Sequence, residues 1–144
     1  MHVKESIRAA VSDLLSGIFP AKVIDGPEHP LTLASMPGCT VYQGGIRRVG
    51  GTLTATEYET EVVVEVYRPG QECDSLFAAD ASAIEAAIYG TRSSGRFFDG
   101  DCSNAVAGPS STRYVPGAFV KHSVCRMVWL FEYQTVDGNA ETAV

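Results

Sequence analysis

The chain has 144 residues, a formal net charge of -6, 45% hydrophobic and 19% charged residues. That length argues for one domain, residues 1–144, able to bury about two-thirds of its unfolded surface. The composition excludes a chain that is mostly disordered. With 11 Lys and Arg in total and Arg47-Arg48 as the one adjacent pair, it also argues against a nucleic-acid reader, which needs clustered cations for phosphates.

The N-terminus, MHVKESIRAA, has no basic stretch followed by an apolar one, so no secretory signal is expected. The longest apolar runs, Val62–Val64 and Val128–Phe131, are too short for a membrane span. Cys39, Cys73, Cys102 and Cys125 form no CxxC pair, and reduced thiols are expected rather than a zinc site or disulfides.

In chain order, Val3, Ile7, Ala10, Val11, Leu14 and Leu15 recur at steps of three and four and predict a helix over 3–17. Residues 20–38 carry Pro20, Pro27, Pro30 and Pro37, a connector with at most a short strand at 22–25. Cys39–Gln43 predicts a short strand ended by Gly44-Gly45, and residues 44–56, with two Gly-Gly pairs, a flexible loop.

Residues 57–68 give the clearest pattern. Tyr58, Thr60, Val62, Val64 and Val66 alternate with Glu57, Glu59, Glu61, Val63 and Glu65, as in an antiparallel strand with one buried face. A second helix is predicted over 74–89, with Phe77, Ala81, Ile84 and Ile88 as its apolar stripe and alanines for close packing. Residues 91–112 read as polar loop, with a short strand near 111–115. Phe119–Thr135 predicts a long strand with Phe119, Cys125, Met127, Trp129, Phe131 and Tyr133 on one face, and 136–144 a frayed tail. This order specifies an α+β domain: two layers, an antiparallel or mixed sheet packed against two helices.

Several catalytic and binding motifs fail on inspection. Asp99–Asn104 begins like a calcium loop, but Asn104 and Ser110 stand where Gly and Glu are required, which leaves a turn. Gly90 to Gly95 has phosphate-loop spacing, but Arg96-Phe97 follows instead of Lys-Ser/Thr. His122 and Cys125 are three apart in a strand and face opposite ways. The Glu57–Glu65 row reads as a solvated face that needs water, salt or a basic partner to screen it; acid–base chemistry by these carboxylates with His122 is the enzymatic alternative.

The chain resembles the lambda-type phage tail terminator proteins, the minor tail protein U group. The likeness runs through the helix Ser6–Leu15, the Met36-Pro37 step and Cys39–Tyr42, and is strongest at Glu61–Gln71, where a Glu-rich strand ends in an aromatic, one residue and Pro. A helix after Asp74-Ser75 and a last strand rich in aromatics complete the order. The longer connector at 20–38 and the Ser/Gly segment near 91–112 depart from it. The resemblance implies a non-enzymatic virion protein, without metal or other cofactor and without membrane contact, assembled in the host cytoplasm. It would cap the tail tube as a hexameric ring, end tube polymerisation and meet the head–neck connector protein while DNA passes through the lumen without sequence readout. A tail-tube subunit or head–tail joining protein of the same fold is the nearest alternative. For such a ring, the expected subunit-contact residues are Arg47, Arg48, Glu57, Glu59, Glu61, Glu65 and Arg68, with Arg47 and Arg48 meeting a neighbour's acidic face and the lumen as the other place for the glutamates, where they would repel DNA phosphates.

Overall fold

In the computed structural model, residues 2–19, 23–25, 36–71, 74–116, 121–136 and 139–143 are described. Helix α1 spans Val3–Leu15 and buries Val3, Ile7, Val11 and Leu15, one residue per turn. His2 caps it by accepting the Lys4 amide on Nδ1 at 3.3 Å, so a histidine fills the role usually taken by Ser or Asp. The helix stops at Ser16, just short of Gly17.

β1 (Val23–Asp25) runs parallel to Cys39–Val41 of β2, one residue shorter than the strand expected at 22–25. The rest of the proline connector before Met36 lies outside the described residues. β2 (Gly38–Gly51), β3 (Ala55–Pro69), β5 (His122–Val136) and β4 (Asn104–Val115) pair antiparallel in that spatial order. β6 (Asn139–Ala143) pairs with the end of β5, so part of the tail expected to fray adds a strand. The sheet is therefore mixed: an antiparallel four-strand centre, one parallel edge strand and β6. β3 lies in the middle, as its alternation demanded, and registers residue by residue with β5 from Ala55↔Val136 to Pro69↔His122.

The loop expected at 44–56 is instead mostly strand. β2 continues through both glycine pairs, with ladder irregularities between Gln43 and Ile46 and between Arg48 and Gly50. Glycine usually punctuates a strand, but it also serves bulges and close approaches. Here the approach is decisive: a Cβ on Gly44 would lie 2.8 Å from the Glu61 Cβ, and one on Gly51 2.8 Å from the Ala55 carbonyl oxygen. Only residues 52–54 turn the chain, where Thr52 Oγ1 accepts the Ala55 amide at 3.2 Å. Leu53 at this tip is 99% exposed.

Helix α2 (Asp74–Gly90) buries Phe77, Asp80, Ile84 and Ile88. Of its alanines only Ala81 and Ala87 are half-buried, while Ala78, Ala79, Ala83 and Ala86 face outward; the alanine run does not pack on the sheet as a whole. After α2, backbone bridges Ser93↔Arg96 and Phe97↔Cys102 and a 3-10 turn at Phe98–Gly100 organise the segment expected to be loop. Arg96 locks it by donating from Nε and Nη2 to the Gly100 carbonyl at 3.0 and 2.8 Å. β4 then begins at Asn104, seven residues before the expected strand, with a ladder irregularity at Ala107–Ser110 that accommodates Gly108-Pro109. β5 begins at His122; Phe119 and Val120 lie outside the described residues.

One cluster joins α1, α2, Phe97 and Phe98 to Cys39 and Val41 of β2, Val62, Val64 and Val66 of β3 and the alternate positions Cys125 to Tyr133 of β5. The opposite sheet face, which carries the glutamates, holds a small cluster of Met36, Tyr67 and Val124 with Val115 against it.

Candidate functional site

Glu57, Glu59, Glu61 and Glu65 share one face of β3, as the alternation required, yet none stands in the same environment as the next. Glu57 Oε1 accepts from the Gln134 side chain, directly across the ladder on β5. Glu59 Oε1 accepts from Arg47 Nη2 at 2.8 Å, again across the ladder, on β2. Glu61 Oε2 accepts the Gly45 amide at 3.2 Å, which the bulge in β2 turns toward it. Each carboxylate has a donor from its own chain, so like-charge repulsion along the strand is relieved within the molecule.

Glu65 departs from the expectation of a solvated row. The residue is 7% exposed. Tyr42 donates its hydroxyl to Oε1 at 2.6 Å, and Tyr67 donates to Oε2. Arg126, its ladder partner on β5, brings Nε to 3.9 Å of Oε1. A buried carboxylate requires such donors, since burial without them costs several kcal/mol. Burial, followed by the hydrogen bond to Glu65, raises the Tyr67 and Tyr42 hydroxyls above their ordinary ionisation range. Both tyrosines are held as neutral donors. Sequence reasoning missed this cluster, although one sign was present: Glu65 interrupts an otherwise apolar run, Val62–Tyr67, the pattern of a strand buried on both faces.

The arginines divide. Arg47 and Arg48 register with Glu59 and Tyr58, so alternation puts them on opposite sheet faces. Arg47 is paired within its own chain rather than offered to a neighbour's acids. Arg48 is exposed, and no ion pair to it is described. Arg68 turns to α2, donating from Nε and Nη2 to the two oxygens of Asp80 at 2.8 and 2.7 Å. This bidentate pair ties the end of β3 to α2, a structural contact that the sequence, which marked Arg68 for a subunit surface, did not disclose. Arg47→Ala should cost under about 1 kcal/mol in chemical denaturation, because its side chain is 70% exposed and such pairs are weak. A larger loss would mean that the Arg47–Glu59 pair anchors the hairpin.

For acid–base work the row lacks convergence. An open cavity of about 300 Å³ beside it is lined by Gly45, Ile46, Arg47, Glu59, Glu61 and Leu130. His122 lies elsewhere, opposite Pro69 in the ladder and 5.7 Å from the Tyr67 ring, so the cavity does not join it to the carboxylates. Cys39, Cys102 and Cys125 are buried, and none of them is in a disulfide. Burial pushes the Cys39 and Cys102 thiols up to about 12, with Asp80 and Asp101 adding to the effect, so neither supplies a thiolate nucleophile. Cys73 lies outside the described residues. Among the described residues no group of three His, Cys, Asp or Glu could hold a metal ion, and no described helix is long and apolar enough to cross a membrane.

No family model matches the chain, and no curated protein does. Among solved structures it is similar to a chain of the "Virion of native gene transfer agent (GTA) particle", with a TM-score of 0.52 and 17% identity, over 93% of this chain and 92% of that one. The likeness is one of fold, and it runs almost end to end in both chains.

Proposed function

We propose that this chain is a structural protein of a phage-like virion and, within that class, a two-layer tail terminator. It caps the tail tube as a hexameric ring, stops tube polymerisation and presents the surface that meets the head–neck connector. The observation that carries this reading is the end-to-end likeness of fold to a chain of a gene transfer agent virion. The order of elements shared with the lambda-type terminators supports the finer assignment. The self-satisfied carboxylate row suits it too. An acidic sheet face with its own donors repels DNA phosphates without collapsing on itself, and so lets a genome slide past.

Of the three arginines expected at a subunit contact, Arg47 and Arg68 pair within the chain, and Arg48 is exposed with no ion pair to it among the described residues. Arg48→Glu should weaken assembly at least tenfold and leave the thermal midpoint of the isolated chain unchanged. Unaltered assembly would remove Arg48 from the contact.

The reading is tested by light scattering and electron microscopy over a concentration series, with and without tail tubes. Six-membered rings seated on tube ends, and tubes of fixed length, are expected. Long tubes grown from this chain alone would make it a tube subunit instead, and a particle monomeric even on tubes would overturn the ring.

A further inference from the structure

Among the described residues the sheet ends in two open edges. On one side β4 pairs there with β5 alone over Asn104–Val115. On the other, β1 covers β2 only at Cys39–Val41, and among the described residues no strand pairs with the outer edge of β2 from Tyr42 to Gly51. The two runs have comparable lengths.

Both edges are only lightly defended. Exposed edges are normally blunted by charge, by proline or by shortness, because their unpaired N–H and C=O groups recruit any passing strand. The twelve residues of β4 hold a single charge, Arg113, and their one proline sits at the ladder irregularity. Val106 and Tyr114 are 45% and 37% exposed. On β2 the charge of Arg47 is matched by Glu59, which leaves Arg48 as its exposed charge, and Ile46 and Val49 are 41% and 42% exposed. Edges of this length with open apolar side chains suit strand addition rather than a free surface.

Direction selects the occupant. β2, β3, β5 and β4 alternate in direction across the sheet, so β4 runs opposite to β2. A second copy placed beside the first by rotation about an axis along the strands brings its β2 edge antiparallel to β4. The contact is heterologous, uses both open edges and repeats until the ring closes, which removes every edge it uses. A symmetric β4–β4 contact would leave the β2 edge of both copies bare.

We propose that copies of this chain associate by strand addition, β4 of one hydrogen-bonding to the Tyr42–Gly51 edge of the next. This rests on the ring reading above and names the surfaces that make the ring.

Two variants test it. In one, Val106→Lys and Tyr114→Lys charge the β4 edge; in the other, Ile46→Lys and Val49→Lys charge the β2 edge. All four side chains are exposed, and circular dichroism establishes that each variant folds. By native mass spectrometry, each variant alone should stay monomeric at tenfold or more above the concentration at which the unaltered chain forms rings. Mixed, they should form a one-to-one heterodimer and go no further, because each retains one intact edge of the complementary kind. Rings from either variant alone would overturn strand addition and leave the ring itself standing. So would a homodimer of one variant, or a mixture that stays monomeric. An unaltered chain that never associates, even on tail tubes, would overturn the ring reading and this one together.

Discussion

Replacing Glu65 with alanine is expected to lower stability by about 3 kcal/mol and the thermal midpoint by about 10 °C. The carboxylate is the acceptor of two tyrosine hydroxyls, and Tyr67 is fully buried. Without it, the Tyr67 hydroxyl loses that acceptor inside the sheet face and Arg126 loses its anion, on top of the space left behind. Glu65→Gln keeps the volume and one acceptor oxygen, and about 1 kcal/mol should be lost. Urea unfolding of both variants decides the matter. A loss within about 1 kcal/mol for alanine would mean that Glu65 behaves as the solvated residue its neighbours in the row suggest.

Tyrosines on both sheet faces set an alkaline limit. Tyr42, Tyr67 and Tyr133 have hydroxyls raised above the ordinary value near 10. For Tyr133 the causes are burial and then Tyr58, whose ring stacks on it at 5.5 Å. A group whose ionisation is raised in the folded state contributes stability that is complete below its unfolded value. That contribution is lost as the pH rises through the folded value. The contribution of these tyrosines should therefore hold up to about pH 10 and fall above it. In an ultraviolet titration these three tyrosines should ionise above the ordinary value near 10. Glu65→Gln should bring Tyr42 part of the way back toward 10 and no further, since burial is the larger cause.

How far the fold could be read depended on how each residue type signals its surroundings. The centre of the sheet was legible because β3 and β5 alternate cleanly, and a period of two admits one orientation. α1 was legible for the same reason at a period of three to four. β2 was cut short because Gly44-Gly45 and Gly50-Gly51 read as breakers, whereas Glu61 and the Ala55 carbonyl lie too close to admit a side chain. β4 was largely missed because it is an edge strand exposed at most of its positions. With little to bury, Ser110–Arg113 shows no alternation. The alanines of α2 misled in the opposite direction, since a small apolar residue is as compatible with solvent as with a core.

The site was legible as a row and illegible as an environment. Spacing placed Glu57 to Glu65 on one face, but alternation says nothing about what stands across the ladder. The partners of these residues, Gln134, Arg47, Gly45, Tyr42 and Arg126, stand 12 to 77 positions away in the chain, and only the register brings them together. Arg47 and Arg48, adjacent in sequence, looked like one basic patch and are divided by the pleat.

Arg68→Ala should be the second large effect, at about 3 kcal/mol in monomer stability. Asp80 is 7% exposed and receives both arginine donors; losing them strands a carboxylate between α2 and the sheet, where Cys39 also senses its charge. Asp80→Asn alone should also destabilise, by less, because an amide tolerates burial better than an unpaired charge. In a double-mutant cycle with Asp80→Ala, the pair Arg68→Ala and Asp80→Ala should cost clearly less than the sum of the single changes, since neither charge is then left alone. Additive losses would show that the two side chains act independently. The cycle also separates two roles for Arg68. A residue that fastens α2 to β3 lowers the stability of the isolated chain. A residue reserved for a neighbouring subunit leaves that stability unchanged and weakens only assembly, and the bidentate geometry argues for the fastening role.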